Sequence, residues 1–116
     1  MGASSSTAKI VEMQSTSQWR AQLEDSKQSN KLLVIDFTAT WCGPCKRMEP
    51  AIEEYATIYT DVQFIKIDVD MLADVAREFK VEAMPTFVLV KKGKEVDRIV
   101  GARKDELQKL IEKHRF

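Results

Sequence analysis

Trp41-Cys42-Gly43-Pro44-Cys45-Lys46 is the stretch on which the reading of this chain turns. It holds both cysteines of the 116 residues, with two residues between them. Leu32-Leu33-Val34-Ile35-Asp36-Phe37, a strongly apolar run, precedes it, and apolar residues at helical spacing follow it. A strand that feeds a Cys-x-x-Cys at the start of a helix has a chemical logic. Unpaired backbone N–H groups and the positive end of the helix dipole favour a thiolate at Cys42. Cys45 lies about one helical turn further on, close enough to form a disulfide with it.

The bulk properties narrow the chemistry. The length suggests one domain with an adequate core. Hydrophobic residues make up 44% and charged residues 31%, a composition that folds. Lysine plus arginine equals aspartate plus glutamate, 18 of each, which argues against a nucleic-acid binder working by phosphate neutralisation. No apolar stretch approaches the ~18 residues of a membrane span. Met1-Gly2-Ala3-Ser4-Ser5-Ser6-Thr7 lacks a hydrophobic signal-peptide core, so a cytoplasmic, reducing compartment is the expectation. In such a compartment a Cys-x-x-Cys serves redox or metal chemistry more often than it staples a fold.

Residues 1–8 are serine-rich and read as a flexible N-terminal extension, with the folded domain at 9–116. Met1-Gly2-x-x-x-Ser6 also fits the N-myristoylation pattern, although a plain leader explains it equally well. A single acyl chain on Gly2, with no neighbouring cysteine or basic cluster, would attach the protein to membranes only weakly and reversibly.

The pattern predicts a strand at Lys9–Met13, then a helix capped by Ser15-Thr16-Ser17 with Trp19 and Leu23 on one face and fading near Ser29-Asn30. Leu32–Thr38 is the central strand, and apolar residues on both faces place it in a parallel sheet covered by helices. A helix at Cys42–Tyr59 follows, with Met48, Ile52, Tyr55 and Ile58/Tyr59 inward and a kink at Pro50. Val62–Asp68 is a strand, and Asp70–Phe79 a helix with Leu72, Val75, Ala76 and Phe79 inward. Thr86–Lys91 and Glu95–Val100 form a hairpin across Lys92-Gly93-Lys94. A helix from Lys104 to about Arg115 buries Leu107, Leu110 and Ile111. The order β-α-β-α-β-α-β-β-α describes a mixed α/β sandwich.

Elimination favours dithiol–disulfide exchange at Cys42 and Cys45. Structural zinc needs about four ligands, and beyond the cysteines the chain offers one distant histidine, His114, read as a surface residue. A c-type haem site needs His after the second cysteine, where Lys46 stands. A four-cysteine iron–sulfur centre would need two chains, and an inert disulfide across so short a loop stabilises little. Asp36 sits inside an apolar run, where burial raises a carboxyl pKa and makes it a proton acceptor for a thiol; the alternative is a strand-end aspartate facing water. Lys66, between Ile65 and Ile67, either pairs with Asp36 or is an ordinary solvated strand lysine. For Met84-Pro85-Thr86 a trans proline opening a strand has the better base rate, since only ~5–6% of X–Pro bonds are cis.

From about Lys9 to Phe116 the sequence resembles the thioredoxins. Val34-Ile35-Asp36-Phe37 with Trp41-Cys42-Gly43-Pro44-Cys45-Lys46 resembles their active-site segment, Met84-Pro85-Thr86 their proline loop, and Val100-Gly101-Ala102 the last turn beside the site. Asp36-Phe37-Thr38-Ala39-Thr40 and Glu82-Ala83-Met84-Pro85 are similar to plant h-type members, as is an N-terminal extension carrying Gly2. Many bacterial members have tryptophan where this chain has Thr38, a departure that bears on packing rather than chemistry.

The resemblance implies a thioredoxin fold, a five-stranded mixed sheet flanked by four helices. It implies a protein-disulfide reductase with a redox-active Cys42–Cys45 pair, Gly43 and Pro44 tuning it, Asp36 as the buried acid with Lys66 beside it, and Pro85 in the cis form. It implies a target groove of Trp41, Gly43, Pro44, Val69, Ala83, Met84, Pro85, Val100, Gly101 and Ala102. No cofactor or metal is expected on the chain; electrons are expected from NADPH through a thioredoxin reductase, or from glutathione with glutaredoxin. Partners are disulfide-containing proteins and the reductase. A glutaredoxin would carry Cys-Pro-Tyr-Cys and an isomerase domain a histidine between the cysteines. A binding or holdase module independent of the cysteines is the alternative of a different class.

Overall fold

The computed structural model describes residues 10–116; the readings of the extension, of Gly2 and of Lys9 lie outside the described residues. The elements are β1 (Ile10–Glu12), α1 (Thr16–Ser26), β2 (Leu33–Thr38), α2 (Gly43–Ile58), β3 (Gln63–Asp68), α3 (Ala73–Glu78), β4 (Thr86–Lys91), β5 (Lys94–Val100) and α4 (Lys104–His114). The five strands form one sheet in the order β1-β3-β2-β4-β5. β1 and β2 both run parallel to β3, whereas β4 pairs antiparallel with β2 and with β5.

Side-chain alternation along β2 divides the core into two layers. Leu32 and Val34 join Met48, Ile52, Tyr55 and Tyr59 of the α2 segment, together with Leu107 and Ile111 of α4, on one face. Leu33, Ile35 and Phe37 join Trp19 of α1, and Leu72, Val75 and Ala76 of the α3 segment, on the other. Phe79 packs on Trp19 and Phe37 with ring centroids 5.9 and 5.4 Å away. Asp36 and Lys66 continue the first alternation, so both side chains belong to the face that α2 covers.

Several expected boundaries shift, each for a local reason. The helix after β3 begins at Ala73 rather than Asp70. Asp68 Oδ1 accepts the N–H groups of Asp70 (2.8 Å) and Met71 (3.3 Å), closing a separate turn on the Asp68 side chain ahead of the regular helix. Ile58 faces solvent at 50% exposure while Tyr59 is buried at 2%; the Tyr59 hydroxyl meets the Glu112 carboxylate at 2.5 Å and accepts from Gln108 at 2.9 Å, drawing the tyrosine toward α4. Leu110 is partly buried rather than buried. The hairpin turn is two residues, not three. Lys94 already pairs with Lys91, and both Lys92 and Gly93 have positive φ (53° and 80°), which suits the right-handed twist of the strands. His114 is half-buried rather than a free surface residue, with Nε2 3.0 Å from Asp97 Oδ2.

Phe64→Ala removes a 2%-exposed ring from the layer under α2 and is expected to cost ~3–5 kcal/mol. Ser15→Ala removes the side-chain cap on the Gln18 N–H, with an exposed bond to the Ser17 hydroxyl, and is expected to cost ~1 kcal/mol. Urea unfolding of both variants, with unchanged denaturant dependence, checks this ranking.

Candidate active site

β2 ends at Thr38, and the chain turns through Ala39 to Trp41 into the N-terminus of α2. Cys42 occupies the N-cap in an extended conformation, and its Sγ accepts the Cys45 N–H at 3.1 Å. The sulfur thus takes the place that a serine or aspartate oxygen takes at other helix starts, against one of the donors the helix leaves unpaired. The two cysteines are joined in a disulfide, with Cα atoms 5.3 Å apart. Both are 4% exposed, whereas Trp41 beside them is 66% exposed.

The proline loop packs against the pair. The Met84–Pro85 peptide is cis, so the trans reading of this bond on base rates does not hold and the one implied by resemblance does. The Met84 carbonyl oxygen lies 3.7 Å from Cys42 Sγ. Thr86 Oγ1 donates to the Ala83 carbonyl at 2.6 Å, and the Gly101 N–H donates to the Pro85 carbonyl at 2.8 Å, tying the loop to the end of β5. Gly101 has φ of 104°, a conformation open to glycine at little cost. Val69 and Met84 pack on the cluster of Ala39, Cys42 and Cys45. Gly43, Pro44, Ala83, Val100 and Ala102 are exposed around it.

Asp36 sits on the α2 side of β2, opposite Lys66 in the β2–β3 register. Its Oδ1 is buried with no hydrogen-bond partner among the described residues. Burial pushes its carboxyl from 3.8 up to about 7; Lys66 pulls it down and Glu49 adds to the rise. Lys66 does not close an ion pair with Asp36: its Nζ meets Glu49 Oε2 at 3.9 Å. Asp70 is a residue the sequence reading passed over. Its Oδ2 accepts the Trp41 indole N–H at 2.8 Å and holds an exposed ring in place. No local sequence signal marks it, since its partner lies 29 residues away. Among the described residues, no group of three or more His, Cys, Asp or Glu side chains is arranged to hold a metal ion.

Residues 10–113 match the thioredoxin family. The chain belongs to that family. It is 54% identical to thioredoxin H2 of Arabidopsis thaliana over 114 residues, covering 98% of this chain and 86% of that protein. It is 57% identical to thioredoxin H2-1 of Oryza sativa over 102 residues, covering 88% and 74%. The crystal structure of thioredoxin NaTrxh from Nicotiana alata superposes with a TM-score of 0.94 at 58% identity, covering 99% of this chain and 100% of that one. A chain from a structure on the thiol resolving mechanism of yeast mitochondrial 1-Cys peroxiredoxin via glutathione/thioredoxin systems superposes with a TM-score of 0.81 at 42% identity, covering 90% and 95%. The resemblance to plant h-type members and the thioredoxin fold are therefore established. So is the activity: this thioredoxin is a disulfide oxidoreductase acting by dithiol–disulfide exchange.

The Asp36 shift has a consequence for stability. In the unfolded chain the carboxyl ionises above about 3.8, whereas in the folded protein it keeps its proton up to about 7. Folding therefore takes up a proton between these values, and stability falls as pH rises from about 4 to about 7. Asp36→Asn in the oxidised protein is expected to raise the unfolding free energy by ~4 kcal/mol at pH 8. The gain shrinks toward pH 5. Denaturant titrations at both pH values measure it, and a pH-independent difference would contradict the assignment.

Proposed function

We propose that this thioredoxin reduces target-protein disulfides with Cys42 as nucleophile, Cys45 as resolving thiol and Asp36 as the base for Cys45. The capping of Cys42 Sγ by the Cys45 N–H at the start of α2 carries this reading, because a donor and a helix dipole there lower a thiol pKa. In the reduced protein the Cys42 thiolate attacks one sulfur of the target disulfide. The S–S bond breaks, the other target sulfur leaves as a thiolate and takes a proton, and a mixed disulfide remains. Cys45 passes its proton to Asp36 and attacks Cys42 Sγ. The second target sulfur leaves and is protonated in turn. Two electrons have passed to the target, and the Cys42–Cys45 disulfide of this structure is the product.

The target lies along Trp41, Val69, Ala83, Met84, Pro85, Val100, Gly101 and Ala102 in this reading, with Gly43 and Pro44 keeping the approach to the sulfurs open. The Met84 carbonyl close to Cys42 supports backbone pairing with an extended target segment. Lys66 adjusts the charge around Asp36. Electrons come from NADPH through a thioredoxin reductase or from glutathione with glutaredoxin. The similarity to a chain from a glutathione/thioredoxin peroxiredoxin structure supports both routes and disulfide-containing partners of that kind. The protein works in the cytoplasm. Residues 1–8 serve as an extension to the domain at 9–116, and Gly2, where acylated, gives weak and reversible membrane attachment.

Insulin-disulfide reduction with NADPH and a thioredoxin reductase tests the assignment. Cys42→Ser is expected to abolish turnover, and Cys45→Ser to accumulate a mixed disulfide visible by mass. Activity with glutathione but not with the reductase would place recycling on the other route. Silence with both, and with a chemical dithiol, would leave a binding role that survives the double Cys42→Ser, Cys45→Ser variant. Mass spectrometry of the native N-terminus separates the two readings of Gly2: a myristoyl mass supports membrane attachment, and an unmodified terminus ends that part of the reading.

A further inference from the structure

A cleft of about 770 Å³ opens between α2 and the β1–β3 side of the sheet, lined by Glu12, Asp36, Glu49, Glu53, Glu54 and Lys66 among others. Asp36 lines it, and the Asp36 Oδ1 has no hydrogen-bond partner among the described residues. Two features of its charges are unexpected for a simple buried acid. Lys66 stands opposite Asp36 in the sheet register and on the same face, where a direct ion pair would be the obvious arrangement. Instead its ammonium lies against Glu49, whose side chain is half exposed at the cleft wall. Glu49 also follows Cys45 by four residues, one turn along the same side of α2.

We propose that Glu49 is a positioning residue for proton transfer at Asp36: its carboxylate holds the Lys66 ammonium toward solvent, so that Asp36 is not locked into an ion pair and exchanges its proton through the cleft. The inference rests on the reading of Asp36 as the base. A carboxylate fixed by a close ammonium stays ionised and binds the Cys45 proton poorly, whereas an acceptor that titrates near the working pH takes a proton and releases it. The groups facing Asp36 agree with this division. Lys66 from β3 favours its ionised form and Glu49 from α2 opposes it. Glu12 from β1 and Glu53 and Glu54 further along α2 line the same cleft. Phe87, its register partner on β4, is apolar and fully buried. The proton that Cys45 delivers thus passes to Asp36 and then to water in the cleft, with no change in the electron balance of exchange.

Carbon NMR titration of the Asp36 carboxyl in the oxidised protein, where the cysteines do not titrate, tests the coupling. Glu49→Gln is expected to lower the Asp36 midpoint by about half a pH unit or more, and Lys66→Gln to raise it. In the Lys66→Gln background Glu49→Gln is expected to have a clearly smaller effect. Three results would overturn the proposal: a midpoint unmoved by Glu49→Gln, an equal shift from Glu53→Gln, or an undiminished effect without Lys66. The second readout is the pH profile of Cys45 attack on a preformed mixed disulfide. Glu49→Gln is expected to move its limb to lower pH by the same amount and, with Asp36 drawn toward Lys66 and a weaker base, to lower the plateau rate. Asp36→Asn is expected to remove the limb. If the limb survives Asp36→Asn, the base reading fails and the functional role of Glu49 with it, while the carboxyl titration still reports whether the electrostatic coupling exists.

Discussion

Strand β2 is buried on both faces, and that constraint positions nearly everything else. Leu33, Val34, Ile35 and Phe37 are each at most 1% exposed, because helices cover the sheet on either side. A strand in that setting must surrender its chain at one end of the sheet, and here it emerges into the start of α2. The helix terminus, with its unpaired N–H groups, therefore arrives beside the end of the central strand. Cys42 occupies that junction. The single carboxylate within β2, Asp36, has no such outlet, and the fold leaves it only a cleft shared with α2 residues. Burial of one strand thus creates both a donor-rich sulfur site and a poorly solvated acid beneath the same helix.

The opposing effects at Asp36 differ in size. Desolvation is the largest influence on its carboxyl, ahead of the attraction of Lys66, and the net result is a group that titrates near 7. A stronger ion pair would have cancelled the effect of burial. The observed geometry keeps Lys66 with Glu49 instead, at a separation where solvent still screens the pair. Elsewhere the charges are mainly structural. Arg115 reaches Asp61 at 2.8 Å and lies over the Tyr59 ring, fastening the end of α4 to the loop after α2.

Much of this was legible in the sequence because periodicity reports burial directly. The alternation through Leu32–Thr38 gave the central strand, and its two apolar faces gave the layering. The spacing of Cys42 and Cys45 by itself restricts the chemistry. What escaped depended on partners distant in the chain. Nothing local announces that Asp70 will meet Trp41 across 29 residues or that His114 will meet Asp97. Ile58 and Tyr59 are both apolar enough for the core, and only the polar partners of the Tyr59 hydroxyl on α4 decide which turns inward. The start of α3 falls later than expected because the Asp68 side chain, two residues before the expected helix, closes a separate turn on the Asp70 and Met71 N–H groups. The cis bond before Pro85 was available from resemblance, not from the residues, since local chemistry favours the trans form.

The cap on α2 has a thermodynamic corollary. The sulfur that accepts the Cys45 N–H is at once a structural element of the helix and half of the redox couple. A thiolate is a better acceptor than a disulfide sulfur, so the helix start is anchored more firmly by this bond in the reduced protein, while the oxidised protein is anchored by the covalent bridge. Folding and reduction then form one closed cycle. Whatever strengthens the reduced helix terminus must, by the same free energy, make the protein hold its electrons more tightly and serve as a weaker reductant. The driving force for disulfide exchange is therefore written partly in the stability of a single helical turn.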